Sequence, residues 1–342
     1  RTGATASLRV SYLIKFLLLS ALLFFYANGS LNFCTSALLV LSLGLISIVS
    51  ETAQTAATTL IENKQTSAGK LVSRMASADE AAGIVVPGAI GLTLAKIGGS
   101  IVFASSGVLA ALALIFFSLS SRRVNNLKLE EDSGNGKSSF FAGFHEIRSD
   151  KFLLTTIVVV AAGNIGLAIG DSVESILVLR SLNLGTPFYG LIGTVAAIAG
   201  LIATVFTPKI TDSIPADRIF AWGSLAQAAI SFMPLLAYLN PGASRIILLA
   251  CSFLWSVVLF VTNVSGFSYL ASTVSKGVLG RTAAARRALT MGCVPFAALL
   301  GGALVDFGGI VLPLILWPLI TVLAVAVFII YRKVSSREVG AE

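Results

Sequence analysis

Charge is scarce in this sequence. Only 12% of its 342 residues are Asp, Glu, Lys or Arg, against 56% that are hydrophobic. Soluble domains carry roughly 25% charged residues, so a soluble globular fold is excluded. There is one histidine, His145, and it stands in a polar stretch. With no His-x-x-x-His pair and no Asp-rich metal motif, an integral membrane enzyme lacks its usual catalytic residues; no metal and no cofactor is expected. The three cysteines, Cys34, Cys251 and Cys293, lie in apolar tracts at no ligand spacing. They read as small hydrophobes, not as disulfides or zinc ligands. No Gly-rich loop ending in Gly-Lys-Ser/Thr is present, which excludes ATP hydrolysis through that motif. The net charge of +8 is not organised as an Arg-rich stripe among exposed aromatics, so nucleic acid is not an expected partner.

What the chain does have is ten long apolar tracts, over residues 10–27, 31–50, 71–95, 101–120, 152–179, 187–207, 219–238, 246–271, 289–305 and 310–331. Each approaches or exceeds the roughly 20 residues a helix needs to cross a hydrocarbon core. Threading them back and forth puts 20 of the 24 Lys and Arg residues on one side; three (Lys96, Arg180 and Arg245) fall on the other, and Lys15 lies inside a tract. This is the positive-inside pattern. One missed or false helix would scramble it, so it supports the helix count and a cytoplasmic position for both ends at once. The net positive charge then belongs to the inner face, where it also meets anionic lipid. The expected place is the plasma or inner membrane, with the lipid bilayer as a partner.

Residues 121–150 form the one long polar interruption and divide four tracts from six. We expect a bundle over 1–120, a cytoplasmic linker over 121–150 and a six-helix bundle over 151–342. Within the linker, Phe140, Phe141, Phe144 and Ile147 fall at helical spacing, which predicts a short amphipathic helix on the membrane surface. The two parts share a repeat. Gly91-Leu-Thr-Leu-Ala-Lys-Ile-Gly98-Gly99 parallels Gly301-Gly-Ala-Leu-Val-Asp-Phe-Gly308-Gly309, with Pro87 and Pro295 ahead of each. A duplicated transporter half predicts such correspondence. The sequence begins at Arg1, without an initiator Met, in a short polar stretch. Two further helices are expected ahead of it, completing six plus six, and a chain lacking them is expected to transport poorly.

Gly143-Phe144 with Ile147-Arg148-Ser149-Asp150, Gly280-Arg281 with Val294-Pro295 and Gly301-Gly302, and Val86-Pro87-Gly88 with Gly91 together resemble the major facilitator superfamily, in its macrolide and multidrug efflux or siderophore-exporter branch. The last group resembles that family's Gly-Pro-x-x-Gly-Gly antiporter motif, with Val86 and Ile90 in place of two glycines. The resemblance implies an all-α membrane fold of two pseudo-symmetric bundles, with the ten visible tracts as the third to twelfth helices. It also implies a monomeric secondary transporter that exports a small amphipathic compound by alternating access with proton antiport. An uptake permease, or a non-transporting regulator or subunit of the same fold, is the alternative; a polytopic membrane enzyme is the more distant one. Lys209-Ile-Thr-Asp212 keeps the Asp, but not the basic run, of the family's loop between its second and third helices. The fourth-helix Arg of some antiporters has no match over 31–50.

A charge within the membrane costs about 2.5–3.5 kcal/mol on insertion scales and so calls for a reason. Asp171 and Glu174 stand three apart on one helix face, with Asn164 two turns earlier. Paired carboxylates in such a place exchange protons or attract a cation. Counting from Phe152, Asp171 lies about 28 Å along the helix, so wetting at the outer interface or pairing with Arg180 is the competing structural reading. Trp255 and Asn263 lie on a tract that resembles a second cavity-lining helix, where a Trp could stack on a flat or cationic substrate. Glu51, Asp79, Glu80, Pro87, Gly91, Asp212, Pro295 and Gly301 are candidates for gating or helix packing. Each has a plain structural alternative, as an ion pair near an inner helix end or as ordinary close packing.

Overall fold

The structure is a computed structural model and describes residues 4–60, 82, 86–87, 89–124, 142–274 and 276–339. Every regular element among them is helical: α1 Ala4–Ala27, α2 Phe33–Leu60, α3 Gly99–Val124, α4 Ala142–Ser149, α5 Lys151–Ile176, α6 Thr186–Ser213, α7 Ala216–Ile230, α8 Met233–Leu239, α9 Ser244–Thr273, α10 Lys276–Met291, α11 Val294–Gly308 and α12 Val311–Val339. Nine segments among the described residues are long and apolar enough to cross a membrane. They match nine of the ten tracts. The tract over 71–95 lies mostly outside the described residues, with residues 89–96 helical. With every backbone polar group in need of a partner and no water in the hydrocarbon core, helices satisfy such tracts internally.

The chain divides into two compact units, residues 1–82 with 89–135 and residues 83–88 with 136–342. In the first, α1 packs on both α2 and α3. Asn32 caps α2, its side-chain oxygen accepting from the Thr35 amide at 2.9 Å, which meets one of the unpaired donors of a helix start. The Tyr26 ring lies 4.9 Å from that of Phe103. The second unit is built around α5, which packs on α12 and α11, while α9 packs on α6 and α7. The short helix over 142–149 falls in the second unit.

That helix is present, but its apolar face is covered by protein. Ile147 is 2% exposed and clusters with Leu153, Ile157, Leu270, Val274 and Ala285, with Phe144 against them. The expected position on the lipid surface is therefore corrected for Phe144 and Ile147; Phe140 and Phe141 lie outside the described residues. Asp150 joins the same corner. Its carboxylate caps α5 by accepting from the Leu153 amide at 3.0 Å and accepts from the Tyr269 hydroxyl of α9 at 2.9 Å. Desolvation, and then the bond to Asp150, hold the Tyr269 phenol above its ordinary value of 10.0.

Two tracts differ from a single straight helix. The span Ala216–Leu239 breaks after Ile230, and Pro234 lies in the first turn of the helix that resumes, a position where its missing amide costs nothing. The span Ala285–Gly308 breaks between Met291 and Val294, and Pro295 again opens the second piece. Gly98 (φ 100°) and Gly309 (φ 69°) each take the left-handed conformation just where one helix ends and the next begins. A side chain is disfavoured at each; the repeat pairs Gly98 with Gly308 and Gly99 with Gly309, so the positive φ falls on the first glycine of one pair and the second of the other.

Candidate substrate site

α5 is covered on two sides. Gly166 and Gly170 lie against Trp317 of α12; a Cβ at Gly170 would run into the indole ring. Ile169 and Ser172 lie against Gly301 of α11, where a Cβ would meet the Ser172 hydroxyl and the Ile169 carbonyl. At Gly301, α11 and α5 thus approach closely. Below these contacts Val173 and Leu177 are fully buried with Val178, Ile192, Ala237, Leu248 and Leu314.

The remaining arc of α5 carries Asn164, Asp171 and Glu174, which at about 100° per residue fall within about 80° of one another. Asp171 is exposed; Asn164 and Glu174 are half-buried. Asn164 donates to the Thr290 carbonyl at 2.9 Å and lies 3.7 Å from the Met291 sulfur, tying α5 to the end of α10. Among the described residues, neither carboxylate has a hydrogen-bonded or ion-paired partner, and Arg180 is not paired with them. Directly after Glu174 the helix widens: the Leu182 amide donates to the Leu177 carbonyl, five residues back, at 2.9 Å. Such wide turns gather at functional sites.

Trp255 meets Trp317 edge to face, ring centroids 5.3 Å apart. It therefore joins the α5–α12 contact rather than standing alone. Asn263 is exposed on α9, two turns beyond Trp255. Pro87 packs on Gly193 of α6, Gly91 is buried in the first unit, and Asp212 and Pro295 are exposed at helix ends. Glu51 lies in α2, but its side chain, like Asp79 and Glu80 altogether, is outside the described residues. Trp317, which lies against Gly170 next to Asp171, had no signal in the sequence, since it sits in an apolar tract that gives no hint of what it faces.

Spans of this number define a multi-pass membrane protein. The Major Facilitator Superfamily matches across residues 5–294; the chain belongs to that family and is a transporter of it. No curated protein sequence matches. Among solved structures the chain is similar to a bacterial metal transporter (15% identity, 95% of this chain and 84% of that one, TM-score 0.65). It is also similar to a bacterial homologue of the iron transporter ferroportin in an inward-facing state (15% identity, 96% and 82%, TM-score 0.64). The outward-facing state of a bacterial ferroportin homologue matches at 17% identity, 97% and 84%, with TM-score 0.50. At such identities the likeness shows the fold alone.

Proposed function

We propose that this protein is a secondary active transporter that exports a small amphipathic cation by alternating access, in exchange for protons, and that Asp171 and Glu174 bind the cation and the protons in turn. One observation carries the reading: two carboxylates one turn apart, inside the apolar span Lys151–Ser181, with no partner among the described residues. An unpaired acidic pair in such a span is costly, and a reversible cationic occupant supplies the missing charge. Outward direction rests on the family branch the sequence resembles. The positive-inside count supports a cytoplasmic side for the Lys- and Arg-rich helix ends.

A divalent metal ion as cargo is the second reading, favoured by the printed descriptions of the structural neighbours as metal and iron transporters. Against it, no group of three or more His, Cys, Asp or Glu among the described residues could hold a metal ion, and transition-metal sites ordinarily supply more donors than two carboxylates. The test is extrusion of a fluorescent organic cation from energised cells, with and without an uncoupler, beside extrusion of manganese, cobalt and iron. Uncoupler-sensitive loss of the organic cation, absent in Asp171→Asn/Glu174→Gln, supports the proposal. Metal extrusion alone replaces it with the second reading.

A further inference from the structure

The indole of Trp317 is a buried donor with nothing to bond. The residue is 6% exposed, lies within the span Val311–Tyr331, and its Nε1–H is the one buried side-chain polar atom among the described residues without a partner. Buried polar groups are nearly always satisfied, so an orphan asks for an explanation. Its surroundings supply one. Cδ1, the ring atom bonded to Nε1, faces Gly166 of α5, and one turn earlier a Cβ at Gly163 would meet nothing within 4 Å. The next residue of α12 is Pro318, which has no amide to give the Leu314 carbonyl its usual helical bond. Gly170, under the same indole, directly precedes Asp171.

We propose that Trp317 is a substrate-binding residue whose indole N–H donates to an acceptor oxygen of the transported molecule, with Trp255 as the edge-on wall of the same subsite. The substrate then carries two features: a basic nitrogen for the acidic pair and, a short reach away, a carbonyl or ether oxygen for Trp317. This rests on the reading of Asp171 and Glu174 as the cation site, and it narrows the substrate from amphipathic cations in general to those that bear an acceptor. Gly166 and Gly170 are covered by Trp317 itself, and Gly163, with nothing within 4 Å of a Cβ there, leaves open space beside the indole.

The experiment uses purified protein in lipid nanodiscs and two probes, diethylaminoethyl benzoate (a basic amine with an ester carbonyl) and tetraphenylphosphonium (a cation with no acceptor). Trp317→Phe keeps most of the ring and removes the donor. It should weaken the ester by roughly tenfold, the worth of one hydrogen bond, and leave tetraphenylphosphonium unchanged. Independently of any variant's folding, indole-15N-labelled wild type should show one of its three tryptophan N–H resonances move downfield with the ester and not with tetraphenylphosphonium. Equal loss of both probes in Trp317→Phe makes the residue structural and overturns the proposal. So does an unmoved resonance, the N–H then being satisfied by water only. In either case Asp171→Asn/Glu174→Gln should still lose both probes, leaving the cation site standing. Failure of wild type to bind either cation removes the cation site, and this proposal with it.

Discussion

Each of the two units holds charge inside an apolar span, and the two treat it differently. In the first unit Lys15 reaches from α1 to the hydroxyl of Ser50 on α2 at 2.7 Å, and its ammonium lies 5.9 Å from the Tyr12 ring. Ser50 is 3% exposed, so the bond is shielded and joins two helices. In the second unit Asp171 and Glu174 have no such partner among the described residues. The cost of placing a charge in the membrane is similar for both. Where it is met by neighbours, the charge is part of the packing; on the proposed function, the acidic pair is met instead by the transported cation or by protons.

Breaking the comparison at its strongest point gives the largest effect. Asp171→Asn/Glu174→Gln should cut transport by about tenfold or more while folded yield holds or rises, because a cost of about 2.5–3.5 kcal/mol per charge is relieved. Transport assayed beside thermal unfolding in detergent separates the two. The covered side of α5 should respond the opposite way. Gly301→Ala drives a methyl into Ser172 and the Ile169 backbone and should destabilise by about 1–3 kcal/mol, visible as a lowered Tm. Lys15→Met should cost about 1 kcal/mol for the lost bond to Ser50 yet keep transport within about twofold, since that charge is already satisfied; a loss as deep as that of the acidic pair would erase the contrast. The smallest effect belongs to Tyr269→Phe, which removes the bond to Asp150 at the start of α5 and should cost about 0.5–1 kcal/mol. Because the folded-state value of Tyr269 is raised above 10.0, its contribution is fully present below pH 10 and is lost as pH climbs through the raised value. Wild type and Tyr269→Phe should therefore converge in stability in strongly alkaline buffer.

The spans were legible because length and apolar content are one-dimensional properties, and the membrane requires both. The acidic pair was legible for the same reason: a carboxylate is conspicuous in a run such as 167–179. What could not be read is how spans face one another. Trp255 was visible as a Trp on a helix, but its neighbour Trp317 stands 62 residues away, and only packing joins them. The polar helix Lys276–Met291 escaped notice beyond its last residues because nothing apolar marks it. The face of the short helix Ala142–Ser149 was read correctly as apolar; whether lipid or protein would cover it depends on Leu270, Val274 and Ala285, which its own residues do not reveal. The glycine pairs 98–99 and 308–309 were found as a repeat, whereas which member takes a positive φ, Gly98 in one and Gly309 in the other, needed the backbone.

The central claim is that Asp171 and Glu174 exchange a cation for protons. Proteoliposomes loaded with a pH-sensitive dye test it directly. When an organic cation is added to one side in the absence of any other gradient, wild type should move protons in the opposite direction, in proportion to the cation carried, and Asp171→Asn/Glu174→Gln should move none. Cation movement with no accompanying proton flux in wild type, or proton flux that survives in the double variant, would contradict the account.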